Sequence, residues 1–153
     1  MSSRVVNQAL ARICDAALKL PLYEWDSSPE IGVGLSGSII ATIVSDSSIT
    51  LPEDFIQFLQ VCGELNGMDV HNGYCIGWDQ AVVPSCHEGS FVSIGADGGG
   101  NVFLLGSAGV YKCNHETNEL KFVSGSFAEY LSLVALDWEK YLAEDHGHSY
   151  LSG

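Results

Sequence analysis

Residues 91–123 read FVSIGADGGGNVFLLGSAGVYKCNHETNELKFV, and four short runs of β-branched, aromatic and other apolar residues recur in them at 91–94, 102–105, 110–113 and 120–123. Between the runs stand Asp97-Gly98-Gly99-Gly100-Asn101, Ser107-Ala108-Gly109 and residues 114–118, all of turn-favouring composition. Runs this short suit strands, and connections this short join antiparallel neighbours. The segment predicts a β-meander.

Upstream, residues 74–78 and 81–83 have the same composition after an Asn72-Gly73 turn and extend the meander. Downstream, Ser126 and Glu129 spell an S-x-x-E capping box. Phe127, Tyr130, Leu131, Val134, Trp138, Tyr141 and Leu142 then share one helical face. Before the meander, Leu51-Pro52 opens another helix. Proline suits the first turn, Glu53 and Asp54 complement the positive end of the dipole, and Phe55, Phe58, Leu59 and Cys62 make one apolar stripe ending near Gly63 and Asn66-Gly67. Residues 38–44 (SIIATIV) are β-branched and too short for a helix, so they read as a strand. Residues 3–20 show helical spacing of Val5, Val6, Ala9, Leu10, Ile13, Ala16, Ala17 and Leu20, with Ser2 or Ser3 to start the helix and Pro21 to stop it. A variable loop (21–37) separates this helix from a core at 38–142, and a polar tail (143–153) is expected to fray. The expected fold is a single α+β domain: an antiparallel meander of about five to six strands with helices packed on one face.

A chain of 153 residues, 46% of them hydrophobic, buries roughly 68% of its unfolded surface, enough for a core without disulfides or metal. No apolar run reaches the ~18 residues of a membrane span, and the N-terminal pattern, broken by Asn7, Gln8 and Arg12, is not that of a signal peptide. The five cysteines (14, 62, 75, 86, 113) are odd in number and never form C-x-x-C. Three of them (14, 62, 75) sit in apolar runs, as small hydrophobes do. A reducing, cytoplasmic setting is expected. Nineteen acids against six bases give a net charge of −13, and no Lys or Arg occurs between Lys19 and Lys112. Such a field repels nucleic acid and anionic lipid and steers basic partners inward.

Several chemical motifs fail on context. Gly32-Val33-Gly34-Leu35-Ser36-Gly37 spells G-x-G-x-x-G, but a dinucleotide site needs a strand before it and a helix after it. A proline-containing loop precedes it and the strand assigned to 38–44 follows, so its glycines are expected to shape a loop. Cys113-x-His115, Cys86-His87, Cys75 and His71 lack the paired spacing of structural zinc sites, and His146-Gly147-His148 lies in the polar tail. Asp97–Asn101 has too few side-chain oxygens for a calcium loop, and no G-x-S-x-G occurs. Trp25, flanked by Glu24 and Asp26 in the loop, reads as an interface anchor; Trp78, beside Asp79, reads as an anchor or as a core indole.

The order of these motifs resembles the SUKH superfamily, which includes the yeast cell-wall assembly regulator and many bacterial immunity proteins encoded beside polymorphic toxins. Leu51-Pro52-Glu53-Asp54-Phe55 with Phe58-Leu59 and Asn66-Gly67 is similar to its LP-x-D-aromatic helix and NG turn. Residues 94–101 (IGADGGGN) resemble its D-G-G-G-[DN] turn, and Gly109-Val110-Tyr111 with Asn114-His115-Glu116 its G-x-V-Y strand and D-H-E turn, Asn114 standing where an acid is usual. Ser126-Phe127 and Tyr130-Leu131 resemble its S-F-x-x-[FY]-L helix start. The resemblance covers residues 51 to about 141 and implies no catalytic residue or cofactor. It implies a cognate toxin domain as partner, often a basic nuclease or deaminase.

An immunity protein that occludes a cognate, basic, nuclease-like toxin domain is therefore expected, and not an enzyme. The contact residues expected are Glu24, Trp25, Asp26, Glu64, Asp69, Asp79, Glu88, Asp97 and Glu116. The alternative is a regulatory scaffold of the same fold that binds a host signalling or cell-wall protein. Neither requires nucleic acid or membrane as a partner, and the sequence carries no signal for an oligomeric state.

Overall fold

A computed structural model describes residues 2–19, 30–66 and 74–143. The described residues form four helices, α1 (Ser2–Lys19), α2 (Gly37–Asp46), α3 (Glu53–Val61) and α4 (Phe127–Leu142). The strands are β1 (Glu30–Ile31), β2 (Leu65–Asn66), β3 (Tyr74–Ile76), β4 (Val92–Asp97), β5 (Val102–Gly106), β6 (Gly109–Cys113) and β7 (Leu120–Ser124). All seven pair antiparallel in sequence order, one sheet running from β1 to β7. The fold is α+β with a meander sheet and helices packed against it, and the two-residue strands β1 and β2 extend the expected meander at one edge.

The helices supply the face that the sheet lacks. Val6, Ala9, Leu10, Ile13 and Ala16 of α1, Phe55, Phe58 and Leu59 of α3, and Phe127, Tyr130, Leu131, Val134 and Trp138 of α4 are all buried. They share one core with Val92, Ile94, Phe103, Leu105 and Val110 of the sheet. Successive strand residues face opposite sides. Val102, Leu104 and Cys113 accordingly form a small separate cluster on the other face, partly covered by Val83, Phe91 and Leu120. The segment between β3 and β4 supplies Val83 and Phe91 of that cover, β7 supplies Leu120, and the segment is tied down at both ends. The Gln80 carboxamide accepts from the Ser93 N–H (3.0 Å) and donates to the Ser93 carbonyl (2.9 Å), imitating a strand residue. His87 Nε2 lies 2.8 Å from the Asn118 carbonyl in the β6–β7 turn.

Two assignments are corrected. Residues 38–44 are not a strand but the body of α2. Ser36 caps it by accepting the Ile39 N–H at 3.3 Å, and Ile40 and Ile43, three apart, are buried on one side. β-branched residues lower helix propensity by less than about 1 kcal/mol each, and burial of that isoleucine pair outweighs the deficit. Residues 81–83 are not a strand either: Gln80–Val82 is a 3₁₀ turn, followed by a second at Ser85–His87. Gln80 has taken the pairing position beside Ser93 with its side chain, which leaves the backbone after it free to cross the sheet.

With α2 in place, the glycine motif does stand between a strand and a helix. Its geometry still answers to packing. Gly32 N–H donates to the Glu64 carbonyl (2.7 Å) and Leu35 N–H to the Leu59 carbonyl (2.9 Å), which fastens the loop to the end of α3. A Cβ at Gly34 would stand 1.8 Å from the Gln60 carbonyl oxygen, so a close backbone approach requires glycine there. Among the described residues no helix is long and apolar enough to cross a membrane.

Candidate functional site

A cleft of about 770 Å³ opens between α2 and the β3–β4 end of the sheet. Ile39 of α2, Trp78 and Val82 give it an apolar lining, and Asp46, Glu64 and Asp79 stand among its walls. Ile39 is 50% exposed and Val82 42% exposed, so apolar surface is left facing solvent there. Trp78 is half-buried, its ring 6.5 Å from Phe55 at the edge of the core, so it packs against the core while part of it reaches the cleft. A smaller depression of about 240 Å³ shares Asp46 and Trp78 with the cleft and adds Glu88. The helix makes this arrangement. Ile40 and Ile43 point to the core, which turns Ile39 outward and brings Asp46, at the last turn, to the cleft.

The electrostatics follow from where the bases went. All six lie elsewhere: Arg4, Arg12 and Lys19 on α1, Lys112 on β6, Lys121 on β7 and Lys140 on α4. Arg12 holds Glu139 of α4 through two hydrogen bonds, one from Nε at 2.9 Å, and Lys19 pairs with Asp15 at 3.0 Å. On α2, α3 and the segment between β3 and β4, the exposed charged side chains are Asp46, Glu53, Asp79 and Glu88, with Glu64 between α3 and β2, all acidic.

Of the expected contact residues, Glu64, Asp79 and Glu88 are brought together around these two depressions. Glu24, Trp25, Asp26 and Asp69 lie outside the described residues. Glu116 is exposed but stands in the β6–β7 turn, away from the cleft linings. Asp97 is engaged internally. Its Oδ1 accepts the N–H groups of Gly99 and Asn101, both at 2.9 Å, and its Oδ2 accepts from Asn101 Nδ2 (3.1 Å) and pairs with Lys112 Nζ (3.3 Å). Asn101 Oδ1 in turn accepts the His115 N–H (3.1 Å), so the two turns at that end of the sheet are one hydrogen-bonded unit. Asn114, where the resemblance leads one to expect an acid, accepts from the Glu116 and Thr117 N–H groups (2.8 and 3.2 Å), work that an amide oxygen does as well as a carboxylate.

Burial disfavours the Asp97 charge, but the hydrogen bonds from Asn101 and the Lys112 ammonium outweigh it and hold the carboxyl below its ordinary value. A depressed folded pKa means the unfolded chain takes up the proton first as pH falls. The stabilisation is complete above the ordinary carboxylate range of about 4 and is lost below it. Urea midpoints measured from pH 6 downward are expected to fall more steeply for the native chain than for Asp97→Asn. Parallel curves for the two proteins would show that the turn network carries no such linkage.

Asp46 is not among the expected contacts, because a strand at 38–44 gives no reason to place it beside Glu64 and Asp79. An amphipathic reading of 38–46, with Ile40 and Ile43 on one side and Ile39 on another, is the signal that finds it. Cys75 lines the cleft and is exposed, contrary to its reading as a small core hydrophobe. Partial desolvation, with Glu64 beside it, pushes its thiol up, away from the thiolate form. None of the five cysteines is in a disulfide. Among the described residues no three His, Cys, Asp or Glu side chains are grouped so as to hold a metal ion.

Compared with protein-family models and with curated protein sequences, the chain matches none.

Proposed function

We propose that the protein is a cytoplasmic immunity protein of the SUKH type, which binds a cognate basic toxin domain and occludes its active site without turning over a substrate. The observation that carries this is the cleft: apolar side chains left open to solvent, edged by Asp46, Glu64 and Asp79, on a part of the fold that holds no Lys or Arg. Carboxylates so placed offer a nuclease-like domain a substitute for substrate phosphates, while the apolar lining gives the contact area that slows dissociation. The ordered motifs from Leu51 onward support the same class of protein.

The test is co-expression with the product of the adjacent gene in a sensitive host. The toxin alone is expected to arrest growth, and this chain to restore it by forming a stable complex whose association slows at least tenfold between 50 and 500 mM salt, about the range open to charge-steered encounters. Growth arrest that persists, or rescue without a complex, overturns the proposal.

A further inference from the structure

We infer that the cleft between α2 and β3–β4 is the docking site itself, and that its occupant is a segment of a cationic protein presenting one large apolar side chain flanked by Lys or Arg. The proposed function supplies the partner, and the cleft residues define the segment. Ile39, Trp78 and Val82 are apolar and reached by solvent, which suits one bulky aliphatic or aromatic side chain laid across them. Asp46, Glu64 and Asp79 contribute from α2, the α3–β2 connection and the segment after β3, so three elements of the chain bring carboxylates to the cleft. A segment with bases on both sides of its anchor meets more than one of these carboxylates, whereas a ligand with a single positive charge meets only one.

A second, independent feature lies in the cleft wall. Ser93 lines it, is 1% exposed, and its hydroxyl has no hydrogen-bond partner, although its backbone N–H and carbonyl are both taken by Gln80. A buried hydroxyl left without a partner is unfavourable, and a main-chain group of a docked segment supplies what it lacks. Ser93→Ala is therefore expected to leave the folded chain as stable as before or more so, yet to weaken the complex, a pair of effects that a purely structural serine does not show.

The probe is a capped peptide, Arg-Arg-Gly-Leu-Phe-Gly-Arg-Arg, titrated into the full chain and followed by backbone and indole N–H resonances. Shifts are expected at Ile39, Asp46, Trp78, Ser93 and Ala96, with affinity reduced at least tenfold in Asp46→Lys/Glu64→Lys and in Val82→Arg, and threefold or more in Ser93→Ala. Asp46→Asn/Glu64→Gln gives the milder form of the first variant should charge reversal disturb folding. The inference is overturned if a peptide with Glu for Arg binds equally, or if phenethylamine alone does, which makes the cleft a small-molecule site. It is also overturned if the same resonances shift with protein concentration before peptide is added, which marks a second copy as occupant, or if the cleft amides already contact another part of this chain. A toxin complex that perturbs only Glu116 and the β6–β7 turn overturns the inference and leaves the proposed function standing. Peptide binding in the cleft with no toxin partner does the reverse.

Discussion

Replacing Phe127 with alanine will lower the unfolding free energy by about 3–5 kcal/mol, the range for deleting a fully buried phenylalanine ring. The site has no freedom to collapse. The side chain is fully buried at the start of α4, its ring edge-on to Phe55 (5.0 Å between centroids, 74° between planes) and Phe58 (5.3 Å, 60°) of α3, and 5.9 Å from Tyr130. The cavity would therefore open between two helices and lose aromatic contacts on both. At roughly 2–4 °C per kcal/mol for a domain of this size, the melting temperature should fall by about 6–20 °C. Phe122→Ala is the control, since that ring is 57% exposed and touches Tyr111 on the outer face of the sheet. Its loss should cost less than about 1 kcal/mol. Equal costs at the two positions would mean that the α3–α4 contact is not where the core is anchored.

The second large effect is expected at Asp54, where substitution by alanine should cost about 2–3 kcal/mol although no salt bridge is broken. Asp54 is buried, and its Oδ2 accepts the Ala128 N–H of α4 at 2.9 Å while Oδ1 accepts the Phe55 N–H at 2.8 Å. The opening N–H groups of a helix have no partner within the helix, and a carboxylate there also meets the positive end of the dipole. Two acceptors thus serve the first turn of α4, and a third bond ties the chain just before it. Ser126 Oγ takes the Glu129 N–H (3.1 Å), the Glu129 carboxylate reaches back to the Gly125 N–H (3.0 Å), and Asp54 reaches across from α3. Without Asp54 the Ala128 N–H is left in a place where water does not replace it. Ser126→Ala removes a less buried cap and should cost about 1 kcal/mol. Chemical denaturation of the two variants side by side decides the point: a smaller loss at Asp54 than at Ser126 would show that the cross-helix bond carries little.

This bond also joins two motifs that the sequence presents as separate, the Leu51-Pro52-Glu53-Asp54-Phe55 helix start and the Ser126-Phe127 helix start. Asp54 fastens α4 to α3 by accepting from Ala128, and Phe55, one residue after Asp54, meets Phe127, one residue before Ala128. Their joint presence in one sequence follows from that contact, seventy-four residues apart in the chain.

The elements that the sequence determined by itself are those whose cause is local. The helical stripe of α1, the proline and acids that open α3, the capping box of α4, and the turn residues that cut 91–123 into strands each act within a few residues, so period and turn chemistry predict them directly. The lopsided charge is likewise a property of the chain, because it depends only on which residues lie between Lys19 and Lys112. Tertiary structure alone decided the rest. It made 38–44 a helix, because burying Ile40 and Ile43 against the core outweighed β-branched propensity. It turned Gln80 into a stand-in for a strand, drew Asp97 into the turn network, and set Asp46, Glu64 and Asp79 around one cleft. Each of these outcomes depends on partners far away in sequence, and no periodicity records where a folded chain returns to meet itself.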